Sequence, residues 1–418
     1  MTGKKQLKAR IRARMAKTGE SYTTARRHVA GPPEATETPA VDGGWRLHGG
    51  RHPDSAVITN ILRNGGVDVS EPLVFVAGGG LGAGYILWEF KHDDSRTLVL
   101  GFRNQWQYPQ RWLEKTLTRL GVRYDTHNTG GAQAASRRLG AELDAGRACV
   151  IMPDRYRIGY WHLPAALDGR GGHPVIAYRR DETGVYLDDR NLARLRVPAE
   201  MVDSARARVG SYKNMLVVPH PGEVAAAEAV RAGLRDCAEH LSQASDSFSL
   251  PAWRKWSRTI LDEKSAKGWP KVFADGRGLA GAMLSAWEAI EPVGQDGGNL
   301  RDLFADGLDE AAALLGLPLG GLAAEFRRIH GLWHGFAEAA LPAAEYGALR
   351  ELTAAVRESL IADGESPAET ARELWELRAA ADRAAVDLDR FADMSERLAE
   401  IYAAETAAVA ELRAMIAG

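Results

Sequence analysis

Two rhythms of apolar and polar residues divide the chain. From Trp45 to about Pro219 short apolar runs alternate with amphipathic ones, and from about residue 222 only the helical rhythm remains. In the first region "HPDSAVITNILRNGG" (52–66) predicts a helix. Proline suits its first position, and Asn64-Gly65-Gly66 suits its end. The runs "PLVFV" (72–76), "YILWEF" (85–90), "TLVLGF" (97–102), "ACVIM" (148–152), "HPVIAYR" (173–179), "GVYLDD" (184–189) and "KNMLVV" (213–218) read as strands. Apolar residues three and four apart predict helices over 108–121 and 131–146, and a capped helix over 198–209. Short strands crowded into the second half of this region imply an α+β domain, with helices beside a largely antiparallel sheet. Beyond residue 221 the amphipathic stripes of "LRDLFADGLDEAAALLG" (300–316) and "AAEFRRIHGLWHGFAEAAL" (323–341) continue into one or two long antiparallel helices over 366–417. Turn signals such as "KGWP", "DGRG" and "GQDGGN" separate these helices. The expected layout is a basic helical arm (1–30), a linker (31–44), an α+β domain (45–220) and an all-helical domain (221–418).

Composition narrows the class. A length of 418 residues suggests more than one domain, and 45% hydrophobic with 26% charged residues suits a soluble globular protein. No apolar run reaches the length of a membrane span, and the start of the chain lacks the apolar core of a secretory signal. Cys149 and Cys237 are the two cysteines, far apart and without metal-ligand spacing, which argues against a disulfide framework and points to the cytoplasm. The net charge of -2 conceals an uneven spread. Residues 1–30 carry nine Lys or Arg against Glu20, a local charge of +8. That arm suits a polyanion or an acidic partner, but it lacks interleaved aromatics for base stacking, so nucleic acid stays a minor reading.

Candidate chemistry lies in the α+β region. Gly78, Gly80 and Ala83 fit a dinucleotide-type pattern, yet "YILWEF" follows where a crossover helix would have to start, so no cofactor is expected. "GGHPVIAY" and "GVYLDDRN" read as paired strands that bring His173 close to Asp188 and Asp189. An acid that orients an imidazole is the base half of a nucleophilic site. "GFRNQWQYP" (101–109) and "DRYRIGYWHLP" (154–164) read as loops at strand ends, where aromatics supply area and arginines grip an anion. Asn60, Arg103, Trp106, Tyr160, Trp161, Arg190 and Asn191 are the expected substrate contacts.

"HPDSAVITNILRNGG", "GGHPVIAY" and "VYLDDRN", in that order over about residues 48–219, resemble the N-terminal domain family of the butirosin-biosynthesis protein BtrH, a relative of papain-like and C39-like cysteine peptidases. The region from about 245 to 342 resembles the helical domain that often follows it. The resemblance implies a papain-like fold and acyl transfer from a carrier-protein thioester to an amine of a small molecule. It makes His173 the general base and Asp188 or Asp189 its orienting acid. The family nucleophile would be a cysteine directly after His52, at a helix start whose dipole favours a thiolate. This chain has Pro53 there. Four readings are open. Ser55 replaces the thiol; or the amine attacks directly with His173 as base; or His52, Asp54, His173 and Asp188 hold a metal; or the cleft only binds a small molecule or protein. The candidate catalytic residues are His52, Ser55, His173, Asp188 and Asp189, with no metal among the leading expectations. A homodimer through the helical domain is a further expectation.

Overall fold

In the computed structural model residues 44–90, 95–165, 171–383 and 389–417 are described. The chain divides into two compact units, Met1–Arg46 and Leu47–Gly418. The basic arm (1–30) and nearly all of the linker (31–44) lie outside the described residues. The elements named below belong to the larger unit.

Helix α1 (Pro53–Asn64) starts as its sequence requires, with Pro53 in the first turn and the His52 side chain capping the Ser55 amide. Every residue from Pro53 to Leu62 is buried, so α1 runs through the core rather than over it. Its polar residues Asp54, Ser55, Thr59 and Asn60 must therefore find partners inside the protein. The expected strand at 72–76 is instead part of helix α2 (Glu71–Ala77). A five-residue apolar run fits either a strand or a buried helical turn. Here Ser70 accepts the Leu73 amide at 3.2 Å, Pro72 sits in the first turn, and the helix wins.

After the tight turn at Gly79 (φ 103°) and Gly80 (φ 57°), β1 (Leu81–Phe90) and β2 (Ser95–Arg103) form an antiparallel hairpin with Tyr85 opposite Leu100. The remaining strands make a separate sheet. Along the chain come α3 (Pro109–Arg119), β3 (Arg123–His127), α4 (Ala132–Asp144), β4 (Cys149–Ile151), β5 (Val175–Asp181), β6 (Gly184–Asp188), β7 (Leu195–Val197), α5 (Ala199–Arg208) and β8 (Leu216–His220). The sheet order is β3-β8-β4-β5-β6-β7, antiparallel throughout. Strand β3 buries little and β7 is three residues long, so neither carries a strong sequence signal.

The second half is helical: α6 (Ala226–Leu241), α7 (Pro251–Leu261), α8 (Trp269–Val272), α9 (Leu279–Ile290), α10 (Arg301–Leu315), α11 (Gly320–Ala340), α12 (Ala343–Asp363), α13 (Ala368–Arg383) and α14 (Phe391–Ala417). The architecture is thus an α+β region followed by an all-α region. The two share a core, since the β1–β2 hairpin packs on α7 and α9 while α2 packs on α6 and α10. At the centre of the join the buried Arg301 guanidinium meets the Glu405 carboxylate through contacts of 2.9 and 2.8 Å. The indoles of Trp253 and Trp333 also donate to Glu405, and Arg301 reaches back to the Gly82 carbonyl in the hairpin. Both oxygens of that carboxylate are engaged twice, as burial of a charge demands.

Candidate active site

The turn after β6 is built by its own side chains. Asp188 accepts the Arg190 amide at 3.0 Å, Asn191 accepts the Asp189 amide at 2.7 Å, and Arg190 takes a left-handed conformation (φ 63°). This turn leaves the Asp189 carboxylate facing His173, which stands two residues before β5 and donates its amide to the Pro153 carbonyl. His173 Nε2 and Asp189 Oδ1 are 2.7 Å apart, and Tyr160 donates its hydroxyl to Asp189 Oδ2 at 3.0 Å. The Trp161 ring meets the imidazole edge-on at 5.6 Å. Burial pushes the Asp189 carboxyl up, but the charges of His173, Arg190 and Arg357 with the His173 hydrogen bond outweigh it and hold it at about 2. The acid is therefore ionised and accepts the hydrogen bond from Nε2, which leaves Nδ1 facing away from the carboxylate.

Opposite this pair lies the start of α1. Asp54 pairs with Arg103 Nε at 3.0 Å and stands 3.5 Å from His52 Nε2. Arg103 lies over the Trp112 ring at 4.8 Å. Burial raises the Asp54 carboxyl against the pull of Arg103, with Asp296 pushing the same way as burial. Burial also takes His52 well below its ordinary value, helped by Arg103, Arg190 and His173, so its ring is neutral. His173 acts on both Asp54 and His52, so the helix start and the His–Asp pair share one electrostatic site.

Ser55 belongs to a different set of bonds. Its hydroxyl donates to Glu71 Oε1 at 2.9 Å, and the same carboxylate accepts the amides of Arg51 and His52. Its oxygen is 3.2 Å from His52 Nδ1 and the residue is fully buried. No sequence signal marks Glu71, because the apolar run after it reads as a strand rather than as the helix it opens.

The expected substrate contacts split likewise. Arg103, Tyr160, Trp161 and Arg190 gather around the site. Asn60 donates to the Gly49 carbonyl and to Asp188, while Asn191 supports the turn, so both hold backbone. Trp106 packs over Gly84 and Gly101 of the hairpin, and its ring lies beside Phe248. Asp188 does not meet His173; it orients the turn and Asn60. Among the described residues no three His, Cys, Asp or Glu side chains are grouped to hold a metal ion, and the set His52, Asp54, His173 and Asp188 is not assembled as such a group. Both thiols are buried, and burial pushes each to about 12.

The helical region adds what the α+β region lacks. In the loop between α9 and α10, Gln295 Nε2 lies 3.3 Å from His173 Nδ1. Its amide donates to the nitrogen that Asp189 leaves free. Asp296 beside it is exposed, and its charge acts on Asp54, Arg103 and Arg357. The loop comes close because Gly297 (φ 80°) has no side chain; a Cβ there would lie 2.2 Å from the Arg51 carbonyl. His173 is consequently 1% exposed, covered by a segment more than a hundred residues further along the chain.

Taken together, the fold and site define an α+β domain with a buried His–Asp pair facing a helix start, completed by a helical domain. Residues 52–190 match the family described as butirosin biosynthesis protein H, N-terminal, and residues 200–368 match a domain of unknown function (DUF4872). The chain therefore carries a BtrH N-terminal domain followed by the helical domain. The second match begins at residue 200, before α5 ends and β8 completes the sheet at His220. No curated protein matches the chain. Among the described residues no helix is long and apolar enough to cross a membrane.

Proposed function

We propose that the buried site between α1 and the His173–Asp189 pair transfers an acyl group from an activated ester to an amine without an enzyme-bound intermediate. The observation that carries this reading is the ionised Asp189 held 2.7 Å from His173 Nε2, which makes Nδ1 the basic nitrogen. The family match supports acyl-transfer-like chemistry. Pro53 offers no nucleophile, and Ser55 is buried with its hydroxyl committed to Glu71. A carrier thioester is already activated, so positioning and proton removal suffice. The amine nitrogen bonds to the thioester carbonyl carbon as His173 Nδ1 takes its proton. The C–S bond then breaks, and the proton passes to the leaving thiolate. Gln295 must leave Nδ1 for this to happen.

That cover favours a second reading, in which the site binds a ligand without turnover. Mass spectrometry of the full chain with acyl-N-acetylcysteamine thioesters and amine acceptors separates the two. Direct transfer predicts amide product, no protein adduct, retention in Ser55→Ala and a loss of about 10²–10⁴-fold in His173→Ala. An adduct on Ser55 would overturn direct transfer. Absence of product across carrier-bound and free thioesters would leave the binding reading.

A further inference from the structure

Arg357, on α12, reaches the same buried site from the helical side. It is 7% exposed and lies over the Trp161 ring at 5.7 Å, the ring whose edge meets His173. No hydrogen bond to another described residue holds its guanidinium. Arg190 is beside it, 2% exposed, with Nε and Nη2 lacking hydrogen-bond partners. Buried guanidinium groups are normally saturated with acceptors, because each idle N–H costs desolvation without return.

Three buried guanidinium groups, Arg103, Arg190 and Arg357, share this region with three buried carboxylates, Asp54, Asp188 and Asp189, but the pairing is uneven. Arg103 is matched by Asp54 at 3.0 Å. Arg190 and Arg357 share Asp189, whose oxygens already serve His173 and Tyr160. Asp188 accepts the Arg190 amide and the Asn60 side chain, no carboxylate among the described residues forms an ion pair with Arg357, and Asp296, exposed at the tip of the α9–α10 loop, adds its charge from further off. The base of that loop is firm: the Asn299 amide donates to the Ile290 carbonyl at 2.9 Å, and Glu291 pairs with His334 at 2.8 Å. Its tip thus presents an amide to His173 and carries an exposed carboxylate whose charge reaches Arg103 and Arg357.

We infer that the site takes a ligand bearing an anionic group, which lodges against Arg357 beside His173, and that the Gln295-Asp296 loop tip covers this position in the ligand's absence. This site deepens the acyl-transfer reading and rests on it for the identity of the buried site, but not for turnover. Carboxylate and phosphate share the planar or tripodal acceptor geometry that a guanidinium grips, and they differ in charge.

Calorimetric titration of the full chain with succinate, neutral succinamide and inorganic phosphate tests it. Succinate is expected to bind saturably and succinamide not at all. Asp296→Asn, which removes the competing carboxylate at an exposed position, tightens binding by about tenfold. Arg357→Met weakens it by at least about tenfold, and Arg357→Lys recovers part of the loss. Binding of phosphate in place of succinate, with the same dependence on Arg357, assigns the anion as a phosphate. Failure of both anions to bind Asp296→Asn overturns the inference, as does equal binding of succinamide or an affinity unchanged in Arg357→Met. Should Arg357→Met not fold, Arg357→Lys and Asp296→Asn decide. Anion binding without product removes the turnover reading alone; product formation at an unchanged rate in Arg357→Met removes the anion site alone.

Discussion

Replacing Asp189 with Asn tests the site without knowledge of the substrate. The substitution keeps the shape, but removes the charge that faces His173, Arg190 and Arg357. A carboxyl carried from 3.8 to about 2 by these neighbours contributes about 2–3 kcal/mol to folding, at about 1.4 kcal/mol per pH unit. Because the folded value is the lower one, this contribution is complete above the ordinary carboxyl range and disappears as pH falls through about 2. About half has gone by pH 3. Urea unfolding followed by tryptophan fluorescence at pH 6 and pH 3 should therefore show wild type more stable than Asp189→Asn by at least about 2 kcal/mol at the higher pH. The gap should shrink by roughly 1 kcal/mol at the lower one. A gap that is absent at pH 6, or identical at both, would refute the assignment of Asp189 as an ionised, charge-compensating partner of His173.

Other perturbations probe the surroundings. Glu405→Gln leaves Arg301 buried without its counter-charge and is expected to cost about 3–5 kcal/mol by urea unfolding, whereas replacing both partners with apolar residues should cost less. Gly297→Ala would put a Cβ 2.2 Å from the Arg51 carbonyl at a φ of 80°, so the loop must shift; diethyl pyrocarbonate should then modify His173 faster, by about tenfold if the cover is lost at a cost near 1.4 kcal/mol. Cys149 and Cys237, buried with thiols near 12, should resist iodoacetamide in the folded protein and react in urea, which mass spectrometry reads directly.

How much is legible in the sequence depends on how local the cause is. The start of α1 is readable because Pro53 and the Gly65-Gly66 end act within a few residues, and the approach of His173 to the acids after β6 follows from a short antiparallel connection. The choice of Asp189 over Asp188 is not readable. It depends on the left-handed Arg190 and on two side-chain bonds in the turn. The run at 72–76 becomes a helix because Ser70 caps it and because α1, α6 and α10 surround it, a packing that five apolar residues cannot announce.

By itself the sequence determined the two classes of region, the His–Asp pair at the end of paired strands, and the proline that follows His52. Tertiary structure alone decided what faces that base. "GQDGGN" reads as an ordinary turn between helices, yet packing across the shared core sets Gln295 on His173, Asp296 near the arginines and Arg357 over Trp161. Those contacts bring together segments from about sixty to nearly two hundred positions apart, and hydrophobic periodicity records only which face of each element is buried, not which distant loop will cover it.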